Sequence, residues 1–329
     1  MSERRRWKLP VQILASALIV GALLYSAEPG EVLAAVRQAD MRWVLAGMCI
    51  KLVGLFLHEV RLWVTLLAWR RTPFFHVMSI GFLSGLMNAL LPIRGGDLIA
   101  MGLLQRELDV PAPAAVAAVG ITAFIEAAVF GLFLLAVIAF GASEWEELVG
   151  AARTAQAQGW LTLAIFGAVF GSVGLVLVSR RLRKGEPEPE KKGVVALVRE
   201  TVVQAGTGMT AWGPVAGNVV LAFAQVAAVV VAFWTLLPAL GLELDFPVLA
   251  VCGVIALGSM AAIVLPPSTA AGTAATAVFV LGAFGVSEAD ALAYTALTWI
   301  VASGPPFIVG FIPALRRMGR IGELIRGKP

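Results

Sequence analysis

A few charged side chains interrupt long apolar stretches of this 329-residue chain, and any chemistry must be built from them: Lys51, His58, Glu59 and Arg61, then Arg94 and Asp97, then Glu126. A charge at membrane depth costs at least about 2.5–3.5 kcal/mol, so such residues must pair or line a hydrated cavity. Lys51 and His58 are seven apart and share a helix face; Arg61 follows His58 by three, and Glu59 lies about 100° round from it. Arg94 opens the run Arg94-Gly95-Gly96-Asp97, where a guanidinium offers planar, bidentate donors suited to a phosphate. Gly95 and Gly96 would let backbone approach that anion, the following half-helix would aim free N–H groups at it, and Asp97 would stand at or near the helix N-cap. Glu126 is the leading candidate for proton coupling, with Glu59 and His58 beside it as relay groups. A purely structural pairing of Glu126 with Arg94 or Arg61 is equally open.

A second polar interruption, Ser268-Thr269-Ala270-Ala271-Gly272-Thr273, supplies hydroxyls without charge. Ser268, Thr269, Gly272 and Thr273 could receive a headgroup or re-satisfy a broken helix. No His/Cys/Asp/Glu set has metal-ligand spacing, and no cofactor motif is present. Cys49 and Cys252 lie within apolar runs and read as small packing residues. No nucleophile–base pair stands at a suggestive spacing, so the chain reads as not an enzyme. An intramembrane enzyme using Glu126, Asp97 and His58 on a lipid phosphate, and a small-solute or ion carrier, are the competing readings.

The elements that must position these groups are membrane helices. The chain is 59% hydrophobic and 14% charged, against about 45–50% and about 25% in soluble domains. Its net charge of +4 reflects basic loops rather than nucleic-acid binding. Val11–Tyr25, behind Arg4, Arg5, Arg6 and Lys8, reads as a first span rather than a cleaved signal. Residues 43–69 form a second, with Trp43, Trp63 and Trp69 toward its ends. Phe74–Leu91 and Gly96–Leu108 flank the break at Pro92–Gly96, and neither half spans alone. Ala114–Phe140 and Trp160–Val178 are full spans, with a thin interfacial helix expected between them over 145–158. A charged linker over about 180–210 follows, with a surface helix from Val194 to Thr210. Val215–Leu240 spans; Val248–Leu265 and Ala270–Phe284 make a second broken pair around Pro266-Pro267; Ala291–Leu315 crosses last, interrupted at Gly304-Pro305-Pro306. Residues 28–42 are mixed in charge and carry no assigned element.

Most of the 25 Lys and Arg residues then fall in pieces on one side, which the positive-inside rule makes cytoplasmic, both termini included. This holds only if both broken pairs are re-entrant hairpins. The expectation is an all-α polytopic protein of the cell membrane, one integral domain over 1–329, with about six full spans and two hairpins. Its halves, about 43–140 and 215–315, run in opposite senses, the inverted-repeat logic that puts a transport site near the midplane. Membrane lipids are the expected partners, and self-association into a homo-oligomer is left open.

The hairpin with Arg-Gly-Gly-Asp, followed by a long span containing Glu126, resembles the flippase-like membrane region of lysylphosphatidylglycerol synthases over roughly residues 10–315. Pro92, Gly96 and Asp97 match its first motif, with Ala100 where an Arg is common. Glu126-Ala127 stands where it often has Glu-Arg. Pro266 and Gly272 match the second hairpin, with Ala275 in place of the acid. The resemblance implies movement of a lipid or lipid-linked anionic headgroup between leaflets, of phospholipid, polyprenyl-phosphate or hopanoid type. The soluble aminoacyl-transfer domain of the full synthase is not in this sequence, which argues against lipid lysylation by it.

Overall fold

The computed structural model describes residues 29–90, 95–140, 174–182, 194–264 and 269–325, without the side chains of 137–140, 194–195, 259–272 and 318–325. The described residues are helical, joined by short turns: α1 Pro29–Gln38, α2 Met41–Leu66, α3 Phe74–Leu90, α4 Gly95–Leu108, α5 Ala112–Phe140, α6 174–182, α7 Val194–Thr210, α8 Trp212–Trp234, α9 Leu236–Ala239, α10 Pro247–Val264, α11 Thr269–Ala283 and α12 Glu288–Ile325. Among them, Met41–Leu66, Ala112–Ala136, Trp212–Ala239 and Glu288–Arg317 are long and apolar enough to cross a membrane. The chain is a multi-pass membrane protein. The expected span at Val11–Tyr25, the interfacial helix over 145–158 and most of the span at Trp160–Val178 lie outside the described residues.

Both proline breaks separate two helices that pack on each other, α3 with α4 and α10 with α11. The four helices have 17, 14, 18 and 15 residues, each short of the ~20 that span a bilayer core.

The chain divides into two compact units. One gathers Val53–Ala139, Val149–Ala227 and Pro306–Pro329; the other gathers Met1–Leu52, Phe140–Leu148 and Ala228–Pro305. Helices α2, α8 and α12 each give residues to both. In the first unit Leu62 and Leu66 of α2, Val77, Ile80 and Leu83 of α3, Leu103 and Leu104 of α4, and Ala114, Ala115 and Ala118 of α5 form one buried cluster. Lipid is as apolar as these side chains, so close packing and polar contacts, rather than escape from water, hold such a cluster together. In the second unit α10 and α11 approach through small residues: a Cβ on Gly253 would lie 3.1 Å from Val280 Cγ1. Val32, Ala274, Ala289 and Leu292 form a smaller cluster there.

Local signals fix the helix ends. Asp40 caps α2, its Oδ1 accepting from Arg42 N–H at 2.8 Å. Gly241 and Gly285 adopt φ of 68° and 80°, and each closes a Schellman motif: Leu242 N–H reaches Leu237 O at 2.9 Å, and Val286 N–H reaches Leu281 O at 3.1 Å. Ser287 Oγ then accepts from Asp290 N–H at 3.1 Å and donates to Asp290 Oδ2 at 2.7 Å, opening α12.

Three expectations change. Residues 29–38 of the unassigned stretch form α1. The helix α12 is continuous through Gly304-Pro305-Pro306; two adjacent prolines remove two donors, but the turns before and after them keep helical dihedrals, as membrane helices tolerate. The surface helix expected at Val194–Thr210 is instead packed. Cβ atoms on Gly206 and Gly208 would fall 1.8 Å from Ser179 Oγ and 2.6 Å from both Ile121 Cδ1 and Trp69 Cη2, so these glycines let α7 lie against α6, α5 and the end of α2.

Candidate functional site

The first unit brings three polar positions of α2 to one face. His58, Arg61 and Thr65 stand at i, i+3 and i+7, and Thr122 and Glu126 of α5 at i and i+4. The Arg61 side chain is fully buried and lies among acceptors from α5 and α8. Its Nε–H donates to Asn218 Oδ1 at 2.8 Å, Nη1–H to Glu126 Oε2 at 2.9 Å and to Gln225 Oε1, and Nη2–H to the Thr122 carbonyl at 2.6 Å. Four of the five guanidinium donors are thus used inside the protein. A further layer holds the acceptors in place: Asn218 Nδ2–H donates to Thr65 Oγ1 at 2.6 Å, and Thr65 Oγ–H donates to the Arg61 carbonyl at 2.8 Å.

Glu126 is the open edge of this cluster. Its Oε2 accepts from Arg61 and lies 3.2 Å from His58 Nδ1, while the Glu126 and His58 side chains remain 37% and 39% exposed. His58 Nδ1–H can donate only when that nitrogen is protonated, which leaves Nε2 to exchange protons or meet a ligand. Arg61 therefore anchors Glu126, and Glu126 with His58 forms the exposed face of the cluster. Of the two partners considered for Glu126, Arg61 is the one observed; Arg94 lies outside the described residues.

Glu59 turns away from that face. It is 3% exposed and lies over α3, where a Cβ on Gly81 would fall 1.6 Å from Glu59 Oε2. Asp97 lies near the N-cap of α4, as expected, and its carboxylate also reaches α3. It sits inside the first turn of α4, and its Oδ1 accepts from Asn88 Nδ2–H of α3 at 2.8 Å, with Ser84 Oγ at 3.4 Å. The N–H of Gly96, expected to face an anion, donates to Asn88 Oδ1 at 2.9 Å. Gly95 opens α4, and Gly96 is required by close approach, since a Cβ there would meet the Ser84 carbonyl at 2.0 Å. These contacts crosslink the end of α3 to the start of α4.

In the second unit Ser268 lies outside the described residues, and Thr269 and Gly272 belong to α11 with undescribed side-chain surroundings. Thr273 packs on α10, its Oγ1 3.8 Å from a Cβ built on Gly258. Lys51 Nζ lies 5.7 Å from the Phe233 ring centroid, a cation–π arrangement.

One ionic cluster was not expected from sequence. At the open end of the first hairpin, Arg317 Nε–H donates to both Glu107 oxygens at 3.1 Å, and its Nη1–H donates to Ser79 Oγ at 2.7 Å. His76 Nε2 lies 2.6 Å from Glu107 Oε2. Glu107 and Arg317 are 4% and 10% exposed. This clamp joins α3, α4 and α12, with His76 39% exposed at its edge. Among the described residues no cluster of three metal-ligating side chains occurs.

No curated protein matches the chain at a significant level. The family described as lysylphosphatidylglycerol synthase TM region matches residues 11–310. That match covers nearly the whole chain, from before α1 to within α12, and so this chain belongs to that family of membrane regions.

Proposed function

We propose that this chain moves a lipid, or a lipid-linked anionic headgroup, from one leaflet to the other. The observation that carries the reading is the polar cluster around Arg61. Three apolar spans bring together a buried guanidinium, two carboxamides and a carboxylate, and charged groups at such depth are rare and mark polar pathways. The family adds a membrane-lipid context. Two broken helix pairs in corresponding halves suit the inverted-repeat logic of secondary transporters.

In this mechanism Arg61 holds Glu126 as its counter-charge, and His58, 3.2 Å from Glu126 and 39% exposed, exchanges protons and so changes the charge met by a passing headgroup. The phosphate of that headgroup would be drawn by Arg94 at the first hairpin, whose role rests on sequence alone. The hydroxyls of Ser268, Thr269 and Thr273 are weaker candidates for the same headgroup.

The test is a proteoliposome assay that follows a fluorescent phospholipid by quenching of the outer leaflet. The expected result is loss of the protected inner pool in vesicles holding the protein, with the lipid chemically unchanged. His58→Gln should remove any proton dependence. Protein-containing vesicles that keep the same protected pool as empty ones would overturn the proposal, and a covalently altered lipid would replace it with an enzymatic one.

A further inference from the structure

The end of α2, the turn between α4 and α5, and one side of α7 enclose a cavity of about 320 Å3 that shares no residue with the cluster around Arg61. All three belong to the first unit. Leu66, Trp69 and Val110 make an apolar floor, and Arg70, Asp109 and Gln204 supply a guanidinium, a carboxylate and a carboxamide. Leu66 and Val110 are buried whereas Arg70 and Asp109 are exposed, so the charges stand at the mouth. Asp109 has φ of 49°, the one positive value outside glycine among the described residues. Glycine would adopt that conformation without strain, whereas a Cβ makes it unfavourable. Such an outlier, kept where glycine fits better, points to a use for its side chain.

The turn is held by its own backbone. Arg70 Nη1–H donates to the Asp109 carbonyl at 3.2 Å, and Val110 N–H donates to the Leu104 carbonyl at 3.1 Å. Beyond these bonds, the Arg70 guanidinium, the Asp109 carboxylate and the Gln204 amide form no hydrogen bond or ion pair among the described residues. A guanidinium and a carboxylate at one mouth suit a ligand that carries a phosphate beside an ammonium. The carboxylate and the Gln204 carbonyl accept hydrogen bonds from a primary ammonium, which a quaternary one has none to give. The place favours a lipid over a free solute. The span Met41–Leu66 ends at this cavity, with Trp63 and Trp69 at the level where interfacial rings meet headgroups. Its volume is at the low end of the ~300–1,000 Å3 of ligand pockets, enough for a headgroup with the acyl chains outside.

We propose that this cavity holds the headgroup of a resident phosphatidylethanolamine, its phosphate on Arg70 and its ammonium on Asp109 and Gln204. The bound lipid ties together the end of α2, the α4–α5 turn and α7. It is a structural ligand, so the proposal does not depend on lipid being the cargo.

Native mass spectrometry of the delipidated protein tests it, titrating phosphatidylethanolamine, phosphatidylcholine and phosphatidylglycerol of the same acyl chains. The ethanolamine lipid should bind about three- to fivefold more tightly than the other two, the size expected of an exposed ion pair. Asp109→Gly keeps the left-handed turn and removes only the side chain. It should unfold at no lower a temperature than the wild type and lose the preference. Asp109→Asn, which also tolerates that turn, gives a second reading should the glycine variant misfold. Arg70→Gln should weaken all three lipids alike. Equal binding of the three lipids by the wild type, or a preference that both Asp109 variants retain, would overturn the proposal. So would soluble phosphoethanolamine binding as tightly as the lipid, or lipid binding unchanged by Arg70→Gln.

Discussion

Replacing Arg61 tests whether the buried cluster is a single electrostatic unit. Arg61→Met removes the donor to Asn218, Gln225, Glu126 and the Thr122 carbonyl together. Removing one partner of a buried pair costs about 3–5 kcal/mol. The lower end applies here, because Glu126 keeps His58 at 3.2 Å and is 37% exposed. Glu126→Gln leaves the other charge, a guanidinium with no exposure, so that single substitution should cost about 5 kcal/mol, the upper end. The double variant buries no unpaired charge. Its cost should fall about 3 kcal/mol below the sum of the singles, a coupling at the top of the range for groups in contact. Denaturant titration in detergent micelles, followed through the intrinsic fluorescence of the nine tryptophans, reads all four corners of this cycle. Costs that add to within about 0.5 kcal/mol would refute the reasoning, since that is how independent sites behave.

The clamp at the open end of the first hairpin should respond in the same sense: Glu107→Gln leaves Arg317 buried without its counter-charge and should cost about 3 kcal/mol, whereas the pair Glu107→Leu and Arg317→Met should be nearly neutral. Thermal unfolding of the three proteins checks this. Glycine substitutions should separate by what they strike. Gly96→Ala drives a methyl to 2.0 Å from the Ser84 carbonyl and should lower stability by about 1–3 kcal/mol or more. Gly304→Ala meets only the terminal methyl of Met48 at 2.6 Å, which can swing aside, and should cost less than about 1 kcal/mol. Equal unfolding midpoints for the two would contradict the packing described at the hairpin tip.

Helix positions were legible because the chain alternates long apolar runs with Pro, Gly and charge. The observed α5, from Ala112 to Phe140, differs from the expected span by two residues at its start. The breaks after Leu90 and Val264 were legible because proline cannot donate within a helix. Residues 29–38 were missed because a short amphipathic helix with charged ends looks like a loop when only long apolar runs are sought. The acids and the arginine of the site were found because charge is rare here. Their neutral partners were missed because Thr, Asn and Gln pass as ordinary membrane-helix residues. A signal was nonetheless available: Asn218 and Gln225 are seven apart, two turns of one apolar helix, the same spacing that singled out Lys51 and His58. The Glu107–Arg317 clamp joins residues 210 apart, and nothing local announces it. Arg317 in the tail reads as one more topological charge. The place of Asp97 near the start of α4 is legible, but its bonds to Asn88 and Ser84 are not, because sequence shows what precedes a helix and not which helix lies beside it.

The acceptors of Arg61 have a consequence for how the protein is made. Gln225 follows Arg61 by 164 residues, a gap that a ribosome working at about 5–20 residues per second takes roughly ten to thirty seconds to cover. For that interval α2 resides in or near the bilayer with a guanidinium whose carboxamide partners have not yet been synthesised, at a cost of about 2.5–3.5 kcal/mol. Its insertion must lean on the surrounding leucines, valines and phenylalanines until α8 emerges. Variants that weaken those residues should therefore reduce yield during biogenesis, even where the finished protein would tolerate them.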